Sequence, residues 1–177
     1  MKRLASIALL LFGSSLFAQV AAAPAGDLSP LKALSFLEGT WDAKTQGGSA
    51  GAQSAGTYVF QLELKGHILA RHSNSDPGCK GPTDFNCEHS DYLYVYSDAI
   101  SKTLKAIYFD NEGHVIHYTV TVPDVTTAEF ISDPYQTGPQ FHLIYQLRNG
   151  VMSGKFQVQM PGQQIWTSYL EWSGGKK

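Results

Sequence analysis

The chain has 177 residues, 16% of them charged and 12% aromatic, and its formal net charge is −2. This length suits one domain of ordinary size. The sequence contains no basic patch, which argues against binding to nucleic acid or to an anionic membrane surface.

The first 23 residues are organised as a secretory signal peptide. Residues 1–3 supply positive charge, residues 4–18 are almost wholly apolar, and small residues follow. This order is typical of an export signal that is removed. The apolar stretch is shorter than the ~20 residues of a membrane-spanning helix. We therefore expect cleavage, no membrane anchor, and an exported protein that is periplasmic or secreted. The cleavage site stays open between Ala18, Ala22 and Ala25.

Removal of the signal leaves residues 24–177 as one domain. The loss of Lys2 and Arg3 leaves 11 basic against 15 acidic residues, a net charge of about −4. A domain of this length buries about 68–70% of its unfolded surface and needs neither a metal nor a disulfide to fold.

The first predicted element is a short helix. Ser29 suits its N-cap and Gly39 its end. Three leucines between them recur at helical spacing and predict one buried face: Leu31, Leu34 and Leu37.

From residue 39 onward the sequence predicts about ten β-strands separated by turns. Residues 57–64 alternate between apolar and polar positions, which is typical of a strand with one buried face. Asn149-Gly150 is a strong hairpin signal. Strands are expected at 39–45, 57–64, 67–73, 91–97, 103–110, 114–122, 125–131, 140–147, 151–160 and 164–172.

Short connections between successive strands predict an all-β fold with one closed antiparallel up-and-down barrel. Closure removes the unpaired edges of a long meander. A β-sandwich with Greek-key crossings is the alternative fold. It needs a long crossover, which only the loops at 74–90 or 132–139 could supply.

The two cysteines, Cys79 and Cys87, lie eight positions apart. An exported chain meets an oxidising compartment, so we predict a disulfide between them. The alternative is a metal site with His72 and His89, but the spacing matches no zinc pattern, and no metal is expected.

The two ends of the domain resemble the calycin families. Residues 36–41, Phe-Leu-Glu-Gly-Thr-Trp, place Gly-x-Trp after a leucine-rich helix, and residues 162–166 form a Gly-x-x-x-Trp segment near the C-terminus. This pattern resembles lipocalins, fatty-acid-binding proteins and, most closely, nitrobindin-like domains and their exported bacterial relatives. The resemblance implies that Trp41 and the helix close one end of the barrel.

Nitrobindin-like proteins ligate haem iron through a histidine near the C-terminus. Here the last histidine is His142, the predicted strand 164–172 contains none, and Trp166 stands near the expected place. We therefore expect no cofactor, and haem binding stays an alternative function.

Aromatic residues on the predicted inner faces suggest a ligand cavity. A barrel of this size can enclose one small molecule, and such sites are mostly apolar with a few polar groups. The inner faces also supply Leu62, Tyr92, Ile116 and Phe141. The predicted ligand-binding residues are Tyr58, Phe60, Tyr94, Tyr108, Tyr118, Tyr145, Phe156 and Trp166. The alternative is that these side chains fill a solid core.

Other polar residues carry weaker indications. His114 shares a face with Ile116 and so could point inward, but we expect each histidine to be hydrogen-bonded or exposed. Arg71 would meet a ligand carboxylate if its face of the strand turned inward.

The sequence gives little support for an enzyme. It contains neither Gly-x-Ser-x-Gly nor His-Glu-x-x-His. The carboxylates are expected to be solvated rather than catalytic: Glu63, Asp91, Asp110 and Glu171.

The sequence therefore favours an exported barrel that binds or carries a small hydrophobic molecule. A haem protein, a small-substrate enzyme and a filled barrel with an envelope partner remain alternatives, and the oligomeric state is open.

Overall fold

Ten antiparallel strands follow one another in chain order and close into one barrel. The computed structural model describes residues 29–48, 55–75, 88–134 and 137–177. The strands are β1 (Gly39–Gly47), β2 (Ala55–Glu63), β3 (Ile68–Ser75), β4 (Ser90–Ser97), β5 (Leu104–Asp110), β6 (Val115–Asp124), β7 (Thr127–Ser132), β8 (Gln140–Arg148), β9 (Val151–Gln159) and β10 (Thr167–Gly175).

The last strand pairs with the first, which closes the barrel. Lys44 of β1 lies opposite Ser173 of β10, and every other strand pairs with its neighbours in sequence. The predicted all-β, closed up-and-down barrel is therefore confirmed, and the sandwich alternative is wrong. The predicted alternation of buried and exposed side chains is observed on β2. Tyr58 and Phe60 are buried in the barrel, while Gln61 is exposed.

One end of the barrel, here called the plugged end, is sealed by the N-terminal segment and Trp41. The segment contains α1 (Ser29–Lys32) and a 3₁₀ turn, Ser35–Leu37, which together bury the three predicted leucines. Trp41 is 2% exposed, and its Nε1 donates a hydrogen bond of 2.7 Å to the Leu37 carbonyl. The burial and hydrogen bonding of Trp41 agree with a structural role for this residue.

The N-terminal helix is shorter than a continuous α-helix from residue 29 to 38. Leu31, Leu34 and Leu37 are three residues apart, and this spacing matches the three residues per turn of a 3₁₀ helix as well as the α-helical period. The chain accordingly changes from an α-helical turn to a 3₁₀ turn before Gly39. Gly39 has φ +123°, a conformation that glycine adopts without strain.

All ten predicted strands are present, each with one or both ends shifted by up to three residues. Two of these shifts affect particular residues. β6 continues through Pro123, because a register shift between Thr121 and Asp124 takes the proline out of the regular ladder. β10 begins at Thr167, so Trp166 precedes the strand instead of belonging to it.

Three predictions lie outside the described residues: the signal peptide at 1–23, its junction with the domain at 24–177, and the disulfide between Cys79 and Cys87. Within the described ranges, no helix is long and apolar enough to cross a membrane.

Candidate functional site

A cavity of about 740 Å³ occupies the half of the barrel opposite the plugged end, here called the distal half. Pockets for small molecules commonly measure about 300–1,000 Å³. The plugged half is instead packed with side chains that are at most 2% exposed: Trp41, Phe60, Leu69, Val95, Phe130 and Met152. The barrel therefore combines a solid core at one end with a space for a ligand at the other.

One side of the cavity is apolar and is formed by β8, β9 and β10. This apolar wall comprises Phe141, Leu143, Phe156, Val158 and Trp172. The Phe141 and Phe156 rings stack at a centroid distance of 5.5 Å and an angle of 14°. The Trp172 indole lies over Gly154, where any Cβ would overlap the ring. Because Gly154 has no side chain, the indole can pack over it as part of the apolar wall.

The opposite side carries a hydrogen-bonded network and is here called the polar wall. It comprises Arg71, His89, Asp91, Tyr108, Asp110, Glu112 and His114, from β3 to the start of β6. Arg71 on β3 and Asp91 on β4 are diagonal neighbours, because Arg71 lies opposite Leu93 and Asp91 opposite Ser73. Their side chains are only 7% and 6% exposed, and Arg71 Nη2 donates to Asp91 Oδ1. Arg71 Nη1 donates to the Tyr145 hydroxyl. Both terminal nitrogens of the guanidinium group therefore have partners.

His89 extends the network towards the distal end. Its Nε2 lies 3.2 Å from Asp91 Oδ2 and 3.2 Å from the Tyr108 hydroxyl. Its Nδ1 lies 3.2 Å from Glu112 Oε1. The imidazole is thus held between two carboxylates, a position in which either ring nitrogen can donate.

Asp110 anchors the turn between β5 and β6. Its Oδ1 accepts the backbone N–H groups of Glu112 and His114, and its Oδ2 lies 2.8 Å from His114 Nδ1. Burial favours the neutral carboxyl group, but the hydrogen bonds from His114 outweigh it and hold the pKa of Asp110 below its usual value. Burial also raises the pKa of Tyr108, so its hydroxyl stays protonated and donates to Asp110.

The two buried aspartates are direct cross-strand neighbours, Asp91 on β4 and Asp110 on β5. Like charges at such positions repel each other. Arg71 offsets this repulsion through its bond to Asp91, and the His89 and His114 imidazoles lie at hydrogen-bonding distance from the two carboxylates. The polar wall therefore depends on Arg71 and on these hydrogen bonds for its stability.

Two buried polar atoms in the described part of the chain lie beside this network without a hydrogen-bond partner: the Tyr58 hydroxyl and Arg71 Nε. Both residues line the cavity and are at most 6% exposed. Burial raises the pKa of Tyr58 above its usual value, and the nearby Tyr145 adds to this effect. A buried polar group without a partner costs about 1–3 kcal/mol, so these two groups lower the stability of this part of the cavity lining.

The eight predicted ligand-binding residues separate into three groups. Four line the cavity: Tyr58, Tyr108, Tyr118 and Phe156. Phe60 and Tyr145 point into the barrel but belong to the packed core, with their rings 5.3 Å apart. The remaining two, Tyr94 and Trp166, lie outside the barrel.

The prediction that Tyr92 and Tyr94 face inward is wrong. The inward residues of β4 are Asp91, Leu93 and Val95, and all three are buried. The tyrosines between them lie on the outer face, where the Tyr92 ring is 4.8 Å from the ring of His72. Trp166 precedes β10 and packs on His142, with 5.3 Å between their ring centroids.

His114 lies at the edge of the cavity with its side chain 63% exposed and 2.8 Å from Asp110 Oδ2, which agrees with the expectation of a hydrogen-bonded or exposed histidine. Two other predictions need correction. Leu62 is 46% exposed near the plugged end and does not line the cavity. Asp91 and Asp110 are buried members of the polar wall, with side chains 6% and 4% exposed, and are not solvated charges.

Sequence reasoning missed the polar wall as a unit. Arg71 was placed inward only conditionally, and His89 and Asp91 were not considered as cavity residues. The available signal was the alternation along β4. Asp91 lies on the same face of the strand as Leu93 and Val95, whose buried side chains are smaller than tyrosine and suit the interior better.

Within the described residues, no three His, Cys, Asp or Glu side chains are grouped so that they could hold a metal ion. The arrangement expected for haem is not reproduced, because His142 lies on the outer face of β8 beneath Trp166. A scan against models of protein families and a search of curated proteins found no match to this chain.

Proposed function

We propose that this protein binds one small, largely apolar molecule inside the distal half of the barrel. The observation that carries this proposal is the cavity of about 740 Å³ between an aromatic wall and a polar wall. Burial of apolar surface contributes about 25 cal/mol per Å², so the apolar wall supplies most of the binding free energy. The polar wall orients the ligand and limits which polar groups can enter.

The structure supports binding more strongly than catalysis. His89 and its two carboxylate neighbours are groups that can transfer protons, but the polar wall contacts described above are made within the protein, among its members and with Tyr145. The function proposed is therefore sequestration or transport of the ligand, without its chemical conversion.

The proposal is tested with N-phenyl-1-naphthylamine, an uncharged dye that fluoresces in apolar surroundings. Protein expressed from the full-length sequence is titrated before and after extraction with organic solvent. We expect saturable binding of about one equivalent after extraction, and competition by the extract if the protein is purified with its ligand. Absence of saturable binding in both samples would leave a filled barrel with a structural role.

We further propose that the chain is exported and acts in the periplasm or outside the cell. The supporting observation is the order of charged, apolar and small residues at positions 1–25. Expression of the full sequence in a bacterium, followed by fractionation and N-terminal sequencing, tests the proposal. A new N-terminus after Ala18, Ala22 or Ala25 in the exported fraction is expected, whereas an intact Met1 in the cytoplasm would contradict export.

A further inference from the structure

The two residues with an unpartnered polar atom in the cavity lining are neighbours at its inner end. Tyr58 on β2 lies opposite Ser73 on β3, two positions from Arg71, so Tyr58 and Arg71 are diagonal neighbours. Both also contact Tyr145 of the packed core. The rings of Tyr58 and Tyr145 are 5.8 Å apart, and Arg71 Nη1 donates to the Tyr145 hydroxyl. The two unpartnered groups therefore lie where the cavity meets the packed half of the barrel.

Both unpartnered groups are hydrogen-bond donors. Arg71 Nε can only donate, because a guanidinium group has no acceptor. Burial raises the pKa of Tyr58, so its hydroxyl keeps its proton at neutral pH and can donate it. The Trp172 indole and the Arg71 guanidinium act on this pKa in the opposite direction, and both are donors that cannot accept a hydrogen bond. The inner end of the cavity thus presents two donors without an acceptor among the described residues.

The position of the two donors favours an acceptor that comes from a ligand. Tyr58 and Arg71 are 3% and 6% exposed, and both line the cavity. Buried polar groups in proteins are nearly always hydrogen-bonded, and an exception calls for a partner of another kind. A molecule inside the cavity can supply that partner at the place where the two residues meet.

The charges around Arg71 favour a neutral acceptor. Arg71 Nη2 donates to Asp91 within a buried ion pair, so the protein already balances the charge of this guanidinium. A ligand carboxylate at the same place would add a second buried negative charge near Asp91 without a cation of its own, which is costly. A neutral carbonyl oxygen has two lone pairs and can accept from both donors without adding a charge.

We infer that the ligand carries a neutral carbonyl group, as in a ketone or an ester, whose oxygen accepts hydrogen bonds from the Tyr58 hydroxyl and Arg71 Nε. Its apolar part lies against Phe156 and Trp172 of the apolar wall. This inference rests on the proposed function and adds the chemical class of the ligand and its orientation in the barrel. It makes the carboxylate of a free fatty acid the less favoured head group.

Three ligands with the same number of carbon atoms test the inference: 2-undecanone, undecanoate and pentylbenzene, which has no oxygen. Each displaces N-phenyl-1-naphthylamine from extracted protein at neutral pH, and each ligand is compared with itself between wild type and Tyr58→Phe. The variant keeps the ring and loses one donor, so 2-undecanone should lose about 3- to 10-fold in affinity. Pentylbenzene should bind both proteins equally, and 2-undecanone should bind the wild type more tightly than undecanoate does.

Tyr94→Phe is the matched control, because it removes a tyrosine hydroxyl from the outer face of β4. It should change the affinity of none of the three ligands. In the absence of ligand, Tyr58→Phe should melt at the same or a higher temperature than the wild type, because it removes a buried hydroxyl that has no partner. A clearly lower melting temperature would show that the hydroxyl is bonded within the protein and would overturn the inference.

Infrared difference spectra report the hydrogen bonds at the ligand itself. The carbonyl band of bound 2-undecanone should lie below its position in an alkane solvent, and should move part of the way back in Tyr58→Phe because Arg71 Nε remains. The same band position in wild type and Tyr58→Phe would show that the carbonyl is not bonded to Tyr58 and would overturn the inference.

The binding outcomes separate the two proposals. If Tyr58→Phe weakens 2-undecanone and pentylbenzene equally, or neither of them, or if undecanoate binds the wild type most tightly, the carbonyl class is wrong while the binding function stands. If none of the three ligands displaces the dye and the dye itself does not bind, the binding function fails as well.

Discussion

Replacement of Arg71 by methionine is expected to be one of the most destabilising single changes in the barrel. The side chains of Arg71 and Asp91 are 7% and 6% exposed, so the substitution leaves the Asp91 carboxylate buried without its main partner. Breaking a buried ion pair in this way costs about 3–5 kcal/mol. A domain of this size has a free energy of unfolding of about 5–15 kcal/mol, so the variant should fold but with a much lower stability.

The assay is urea unfolding followed by tryptophan fluorescence at about pH 7.5, with the double variant Arg71→Met/Asp91→Leu as the control. The double variant should recover most of the loss, because it removes the orphaned charge together with its partner. A loss below about 1 kcal/mol in the single variant, or equal losses in both variants, would refute the reasoning.

Three further predictions concern packing and pH. Gly154→Ala should lower the free energy of unfolding by about 1–3 kcal/mol in thermal unfolding, because the new Cβ overlaps the Trp172 ring. Gly47→Ala is the control. Its Cβ meets a single atom at 3.9 Å, so its free energy of unfolding should stay within about 0.5 kcal/mol of the wild type. Trp41→Phe should lower the free energy of unfolding by about 1–3 kcal/mol, because it removes the 2.7 Å hydrogen bond to Leu37 and part of the packed volume. An unchanged melting temperature would contradict the structural role of Trp41 at the plugged end. The folded-state pKa of Asp110 is lowered, so its stabilisation is complete above about pH 4 and is lost as the pH falls through that pKa. Asp110→Asn should therefore lose about 1–2 kcal/mol at neutral pH, with a gap from the wild type that closes in acid; a gap independent of pH would contradict this.

The strand order was accessible from sequence because local signals repeat along the chain. The alternation at Tyr58 and Phe60 and the Asn149-Gly150 turn each depend on a few neighbouring residues. Ten such strands with short connections leave a closed meander as the simplest sheet without free edges. The fold thus followed from local patterns together with one general rule about edges.

The candidate site was less accessible because it depends on pairing between strands. β4 carries large aromatic residues on one face and Leu93 and Val95 on the other, so hydrophobicity alone does not choose the inner face. A buried Asp91 is plausible only when Arg71 on the neighbouring strand supplies the opposite charge. Single-strand reasoning treated each of these charges alone and therefore placed Asp91 in solvent.

The central claim is that a small molecule binds inside the distal half of the barrel, and a pair of neighbouring substitutions on β9 tests it most directly. Val158 lies in the apolar wall, whereas Gln159 is the next residue and faces away from the cavity. We predict that Val158→Trp abolishes saturable binding of N-phenyl-1-naphthylamine while Gln159→Trp leaves it at about one equivalent, with both proteins folded by circular dichroism. Equal binding by the two variants would place the ligand outside the barrel and contradict the account.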